Sequence, residues 1–124
     1  MARRDLTGAV NFAYLETYAG HDAALIEEVL GLFHEQAALW ARLLDPRQAM
    51  DGWRDAAHTL KGAARGIGAE GLAQACEAAE LAGRAGESGP QRMDALDALD
   101  RVLSDIAAYR HEMAIQSLRS AAPR

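Results

Sequence analysis

Little in this sequence suits a β-fold, an oxidising compartment or a membrane. Val and Ile together number seven against 28 Ala, aromatic residues make up 6% of the 124 positions, and there are three prolines. Pleated sheets favour β-branched and aromatic residues whereas Ala is the strongest helix former, so all-β architectures are excluded. A single cysteine, Cys76, cannot form an internal disulfide, and no run approaches the roughly 18 apolar residues of a membrane span. The opening Met-Ala-Arg-Arg-Asp is followed by no apolar signal core, which also argues against an export signal built on Arg3 and Arg4. A cytoplasmic protein is expected. Positive charge is scarce as well: 13 basic residues against 18 acidic ones leave a net charge of −5, so no overall basic field draws in nucleic acid or an anionic membrane. Of the 13, twelve are Arg and one is Lys, Lys61.

What is present is helical periodicity. The length suits one domain spanning residues 1–124, with a bundle core at about 22–117 and a frayed tail at 118–124. Phe12, Leu15 and Ala19 mark a short first helix that stops at Gly20. Leu25, Ile26, Val29, Leu30, Phe33, Ala37, Trp40 and Leu44 follow at helical spacing, after Asp22 as N-cap and before Pro46 as a stop. Asp51 reads as the N-cap of a third helix with the stripe Trp53, Ala57, Leu60, Ala64 and Ile67, which ends in Gly66 and Gly68. A fourth helix, from about Ala69 to Ala85, turns Leu72, Ala75, Cys76, Ala79 and Ala82 inward. Ser88 and Gln91 fit a capping box for the last helix, with Pro90 in its first turn. Met93, Leu96, Leu99, Leu103, Ile106 and Met113 form its apolar course, and Asp94, Asp97, Asp100 and Asp105 are expected on its solvated faces. Short connections make neighbours antiparallel, so the expected fold is all-α: an antiparallel up-and-down four-helix bundle with a short additional N-terminal helix.

The third helix carries the chemistry. At about 100° per residue, His58 points about 140° away from the centre of the apolar stripe and should face solvent. Asp51, Arg54, Asp55, Lys61, Gly62 and Arg65 lie within about 60° of it on the same wheel. A helical glycine costs about 0.5–1 kcal/mol relative to Ala, which is notable in a chain that otherwise uses Ala for small helical positions. At Gly62 it would leave a side-chain-free spot beside the imidazole. A neutral imidazole is a nucleophile near physiological pH, and cations one turn away would stabilise a phosphoryl group placed on it.

The run Ala57-His58-Thr59-Leu60-Lys61-Gly62, followed by Gly68-Ala69, Leu72, Cys76 and Glu80, resembles the histidine-containing phosphotransfer (HPt) domain of bacterial phosphorelays. The resemblance implies that His58 carries a phosphoryl group on Nε2, that Lys61 supports it electrostatically, and that Gly62 clears room for a response-regulator receiver domain. Arg54 and Arg65 would form a basic rim. It further implies a monomer that exchanges phosphoryl groups with receivers and a hybrid histidine kinase, with no cofactor of its own and the Mg²⁺ held by the receiver. The docking patch should involve exposed parts of the second and third helices. Ala63, Ala64 and Arg65 stand where family members often have a small polar residue.

Rival signals are weaker. Gly66-Ile67-Gly68-Ala69-Glu70-Gly71 matches a dinucleotide fingerprint literally, but a helix rather than a strand precedes it. His34-Glu35 and His111-Glu112 lack the second His of a zinc motif, and His21 and Cys76 read as an ordinary loop residue and a buried one. Autophosphorylation is disfavoured, because Thr59 follows His58 where histidine kinases carry an acid and there is no room for an ATP-binding domain. A non-catalytic four-helix adaptor is the alternative from another class.

Overall fold

The computed structural model describes residues 6–48, 52–86 and 88–121. Among these there are five α-helices and no strand: α1 (Phe12–Tyr18), α2 (Ala23–Leu44), α3 (Trp53–Gly66), α4 (Glu70–Arg84) and α5 (Gly89–Ala121). α2 packs on α3 and α5, and α4 on the same two, so the four long helices close a ring around one core. No helix of the described residues is long and apolar enough to cross a membrane. Residue pairings show the directions. Arg92 at the start of α5 donates to the carbonyls of Leu43, Leu44 and Asp45 at the end of α2, and Arg110 pairs with Glu27 near the start of α2. The two helices are therefore antiparallel, and Arg92 occupies carbonyls that the end of α2 leaves unpaired.

The helix ends follow local chemistry. Asn11 Oδ1 accepts from Tyr14 N at 3.0 Å to start α1, and Asp22 Oδ1 accepts from Leu25 N at 3.1 Å to start α2. α3 differs from expectation: Gly52, at φ +91°, holds the N-cap position, and the expected cap Asp51 lies outside the described residues. At α5 the Ser88 carbonyl accepts from Arg92 N, but the buried Gln91 Oε1 has no hydrogen-bond partner, so the reciprocal bond of a capping box is not made. Helix α5 continues to Ala121, through much of the expected frayed tail; residues 122–124 lie outside the described residues.

The core is built from small residues as much as large ones. Leu30, Leu44, Leu60, Leu72, Leu99 and Ile106 are fully buried, with Ala57, Ala64, Ala73, Cys76, Ala79 and Ala95 between them. Such residues let helix axes approach closely. At Gly83 the approach is extreme, because a Cβ there would lie 2.5 Å from Trp53 Cη2. Gly68 is constrained twice over: its φ is +83°, and a Cβ would stand 2.8 Å from the Asn11 carbonyl oxygen. The literal dinucleotide fingerprint is thus a helix end and turn, at which Asn11 N donates to Gly68 O.

Three faces depart from the expected pattern. Leu25 is exposed rather than in the α2 core. On α4, Ala73 and Gly83 are buried while Ala75 and Ala82 are half-buried. On α5 the buried seam runs through Ala95, Ala98, Leu99, Val102, Ile106 and Tyr109, and Met93, Leu96, Leu103 and Met113 are half-buried at its edges. Asp94, Asp97 and Asp100 are exposed as expected, but Asp105 is fully buried. Its carboxylate accepts from Thr7 N at 2.8 Å, Thr7 Oγ1 at 3.1 Å and Ala9 N at 3.0 Å, and so straps the segment before α1 to α5. Phe12 stacked on Tyr109, with ring centroids 4.2 Å apart, continues the strap.

Two stability predictions follow from these contacts. Asp105→Ala removes the buried acceptor that Thr7 N, Thr7 Oγ1 and Ala9 N share and should cost about 1–3 kcal/mol in urea unfolding, whereas Asp97→Ala on the exposed face should stay within about 0.5 kcal/mol. Gly83→Ala forces a methyl into the Trp53 ring and should cost about 1–3 kcal/mol by the same measurement.

Candidate functional site

The small-residue contact between α3 and α4 sets His58 opposite an acidic side chain. His58 Nδ1 lies 3.2 Å from Glu80 Oε2, and Lys61 Nζ lies 2.8 Å from Glu80 Oε1. The imidazole is 72% exposed, while the Lys61 and Glu80 side chains are only 17% and 18% exposed. A carboxylate can only accept, so the ring nitrogen facing it is the protonated one. In the neutral ring that leaves Nε2 with the free lone pair. Burial pushes the Glu80 carboxyl up, but hydrogen bonding and charge from Lys61, then from His58, outweigh it and hold the group below its ordinary value. Glu80 therefore stays ionised around neutral pH.

The remaining cations of the expected basic face are engaged within the bundle. Arg54 Nη2 donates to Gly83 O at 2.8 Å, with its guanidinium over the Trp53 ring. Arg65 pairs with Glu77 at 3.2 Å and approaches Glu70 at 3.9 Å. What the wheel showed as a run of positive charge is an α3–α4 ladder in which each α3 cation meets a carboxylate or a carbonyl on α4. Of the two acids placed on the same face, Asp55 is exposed in the first turn of α3 and Asp51 lies outside the described residues. Beneath the ladder Cys76 is fully buried, and burial first, then the Glu80 charge, push its thiol up to about 12. It is an inert core residue.

On its other flank His58 is open. A Cβ at Gly62 would meet nothing within 4 Å, nor would one at Gly66 a turn later. This side-chain-free lane runs beside an apolar groove of about 300 Å³ between α2 and α3, lined by Val29, Leu32, Phe33, Trp40, Ala63 and Ile67 among others. Along the outside of α2, Leu25, Leu32 and Leu39 are all exposed and recur at steps of seven, with Val29, Gln36 and Leu43 between them. A 4-3 repeat of this kind is a seam that accepts another helix. The core stripe of Ile26, Leu30, Phe33, Ala37, Trp40 and Leu44 is the same repeat displaced by one residue.

Two features of the site escaped the reading of the sequence. The contact of Glu80 with His58 spans 22 positions and belongs to the α3–α4 packing, which no single helix displays. The second apolar stripe on α2 is a seven-residue repeat one residue away from the core stripe, and Leu25 and Val29 belong to it and not to the core. Among the described residues no group of three or more His, Cys, Asp or Glu side chains could hold a metal ion.

Comparison with known proteins bears on this geometry directly. The Hpt domain family matches residues 15–109. Histidine phosphotransferase ShpA from Caulobacter crescentus, known from a crystal structure, is 53% identical over 90% of this chain and 99% of its own, with a TM-score of 0.76. No curated protein gives a significant match. The family's partners are other phosphorelay proteins such as receiver domains. A bundle that presents a histidine on α3 beside a glycine, with this relative at this identity, belongs to the Hpt family, the histidine phosphotransferases of phosphorelays.

Proposed function

We propose that His58 is the phosphoryl carrier of this protein and that it exchanges the group, through Nε2, with the aspartate of a response-regulator receiver domain. The observation that supports this most is the exposed imidazole whose Nδ1 faces Glu80 and whose other flank opens onto Gly62. In the forward step the Nε2 lone pair forms the N–P bond while the P–O bond to the receiver's aspartate breaks, and the aspartate leaves as a carboxylate. The ring becomes a phosphorylated imidazolium that keeps its Nδ1 proton, opposite the Glu80 carboxylate. No proton has to move, and the reverse step regenerates the neutral ring. Lys61 is the cation of the site, Gly62 provides clearance, and the Mg²⁺ of the reaction is assigned to the receiver. Arg54 and Arg65, held on α4, frame the site from the α4 side.

The receiver docks, in this reading, along the open lane and the α2–α3 groove, with Leu32 and Leu39 as apolar anchors. The protein acts as a monomer in the cytoplasm, each copy offering one His58 and one groove. A receiver attached to a hybrid histidine kinase is the proposed upstream source, and a separate response regulator the proposed recipient.

Incubation with a phosphorylated receiver and Mg²⁺ should place an acid-labile, base-stable label on this protein. His58→Gln should abolish the label; persistent labelling of that variant contradicts the assignment. Gly62→Gln and Leu32→Glu should each slow transfer about tenfold, or about 1.4 kcal/mol, with helix content unchanged by circular dichroism. Leu118→Glu, on the exposed end of α5, should leave transfer at the wild-type rate.

A further inference from the structure

We propose that Gln36 fixes the register in which a helix of the receiver lies along α2, and thereby selects among receivers. The proposal rests on the α2–α3 groove being the receiver's docking site. Its starting point is the outer seam of α2: Leu25, Val29, Leu32, Gln36, Leu39 and Leu43 recur at alternating steps of four and three, and Gln36 alone of the six is polar. Leu25, Leu32, Gln36 and Leu39 are exposed and Val29 and Leu43 half-buried, so the row is open along its length. From Leu25 to Leu43 it spans about 27 Å.

Position places the glutamine inside the contact and not on its rim. Gln36 lines the apolar groove together with Phe33, Trp40, Ala63 and Gly66. α2 and α3 run antiparallel: Leu43 Cδ2 stands 4.0 Å from where a Gly52 Cβ would lie, and Val29 and Leu32 share the groove with Ala63 and Gly66. Gln36, midway between Leu43 and Val29, therefore comes level with the turn of α3 that carries His58 and Gly62. Among the described residues its amide makes no hydrogen bond within the bundle. A donor and an acceptor thus stand ready in the middle of an otherwise apolar surface.

A helix resting on an unbroken row of Leu and Val can slide by one turn, about 5.4 Å, and find much the same contacts. Phosphoryl transfer tolerates no such slip, because the reacting atoms must stand about 3–3.5 Å apart. A buried amide without a partner is destabilising, so covering Gln36 is favourable only when the incoming helix brings a hydrogen-bonding side chain opposite it. That requirement holds one register and rejects the others, as a single polar position does in paired helices. The pin lies level with His58, where a slip matters most. The receiver that fits has a docking helix with apolar residues at the same alternating spacing and one amide or hydroxyl side chain that meets Gln36.

Second-order rate constants for transfer from a panel of phosphorylated receivers to the full chain test this. Gln36→Leu should compress the spread between the best receiver and the poorer ones about tenfold, chiefly by speeding the poorer ones, which no longer bury an unpaired amide. Gln36→Leu/Leu39→Gln, which moves the amide one step along the seam, should not restore the original ranking. Circular dichroism verifies the fold, and a fold defect would slow every receiver alike without changing their order. The proposal is overturned if Gln36→Leu leaves the ratios among receivers unchanged, or if the double variant restores them. Leu32→Glu separates that result from a failure of the docking site itself. Slowing of all receivers by Leu32→Glu, with unchanged ratios in Gln36→Leu, removes the register role alone; no effect of Leu32→Glu on any receiver removes the groove as the docking site and the proposal with it. A wild-type mass of two chains by light scattering, lost in Leu32→Glu, would assign the seam to a second copy of this chain and overturn the proposal as well.

Discussion

Everything at the site depends on how closely α3 approaches α4. Gly83 lies under the Trp53 ring where a methyl group would overlap it, and Ala57, Ala64, Ala73, Cys76 and Ala79 keep the rest of the contact free of bulk. That closeness sets Glu80 within reach of two α3 side chains one turn apart. The same contact buries the carboxylate enough that it needs a cation, which makes Lys61 part of the packing as well as of the chemistry. The α3–α4 ladder is continuous with the core beneath it. Arg54 ties the end of α4 to the start of α3, Arg65 ties the opposite end, and His58 stands between them with its ring exposed.

The rest of the bundle serves to hold α3 with its other flank open. α2 and α5 are locked by charged groups at both ends, Arg92 on the α2 carbonyls and Arg110 on Glu27. The segment before α1 is drawn onto α5 by the buried Asp105 and fills the end of the bundle near Gly68. None of these contacts touches the lane of Gly62 and Gly66. The molecule therefore presents a divided face, with ion pairs on the α4 side of His58 and apolar surface on the α2 side. Such a division fits the proposed function, in which one side orients the ring and the other admits a partner.

How much of this was legible in the sequence varied with the kind of contact. The five helices, the Asp22 cap of α2 and the exposure of His58 beside Gly62 follow from the sequence of single elements. Periodicity fails at Asp105, since an acid at a core position of α5 makes sense only once Thr7 and Ala9 are placed against it. It fails also for charge. Arg54, Lys61 and Arg65 read as a basic face on the α3 wheel, yet each is met from α4 by a group that the wheel does not contain. The likeness of the run around His58 to phosphotransfer domains pointed to the family that the comparisons show, and Glu80 already stood in the matched positions. Its part in orienting the ring came into view only with the tertiary contact.

The central claim is that Glu80 occupies Nδ1 and leaves Nε2 to react. Phosphorus NMR of the protein phosphorylated by its receiver tests this most directly, because the two phosphohistidine isomers and an acyl phosphate give separate resonances. The account predicts a single Nε2-phosphohistidine signal that is absent in His58→Gln. A signal from Nδ1-phosphohistidine would contradict it.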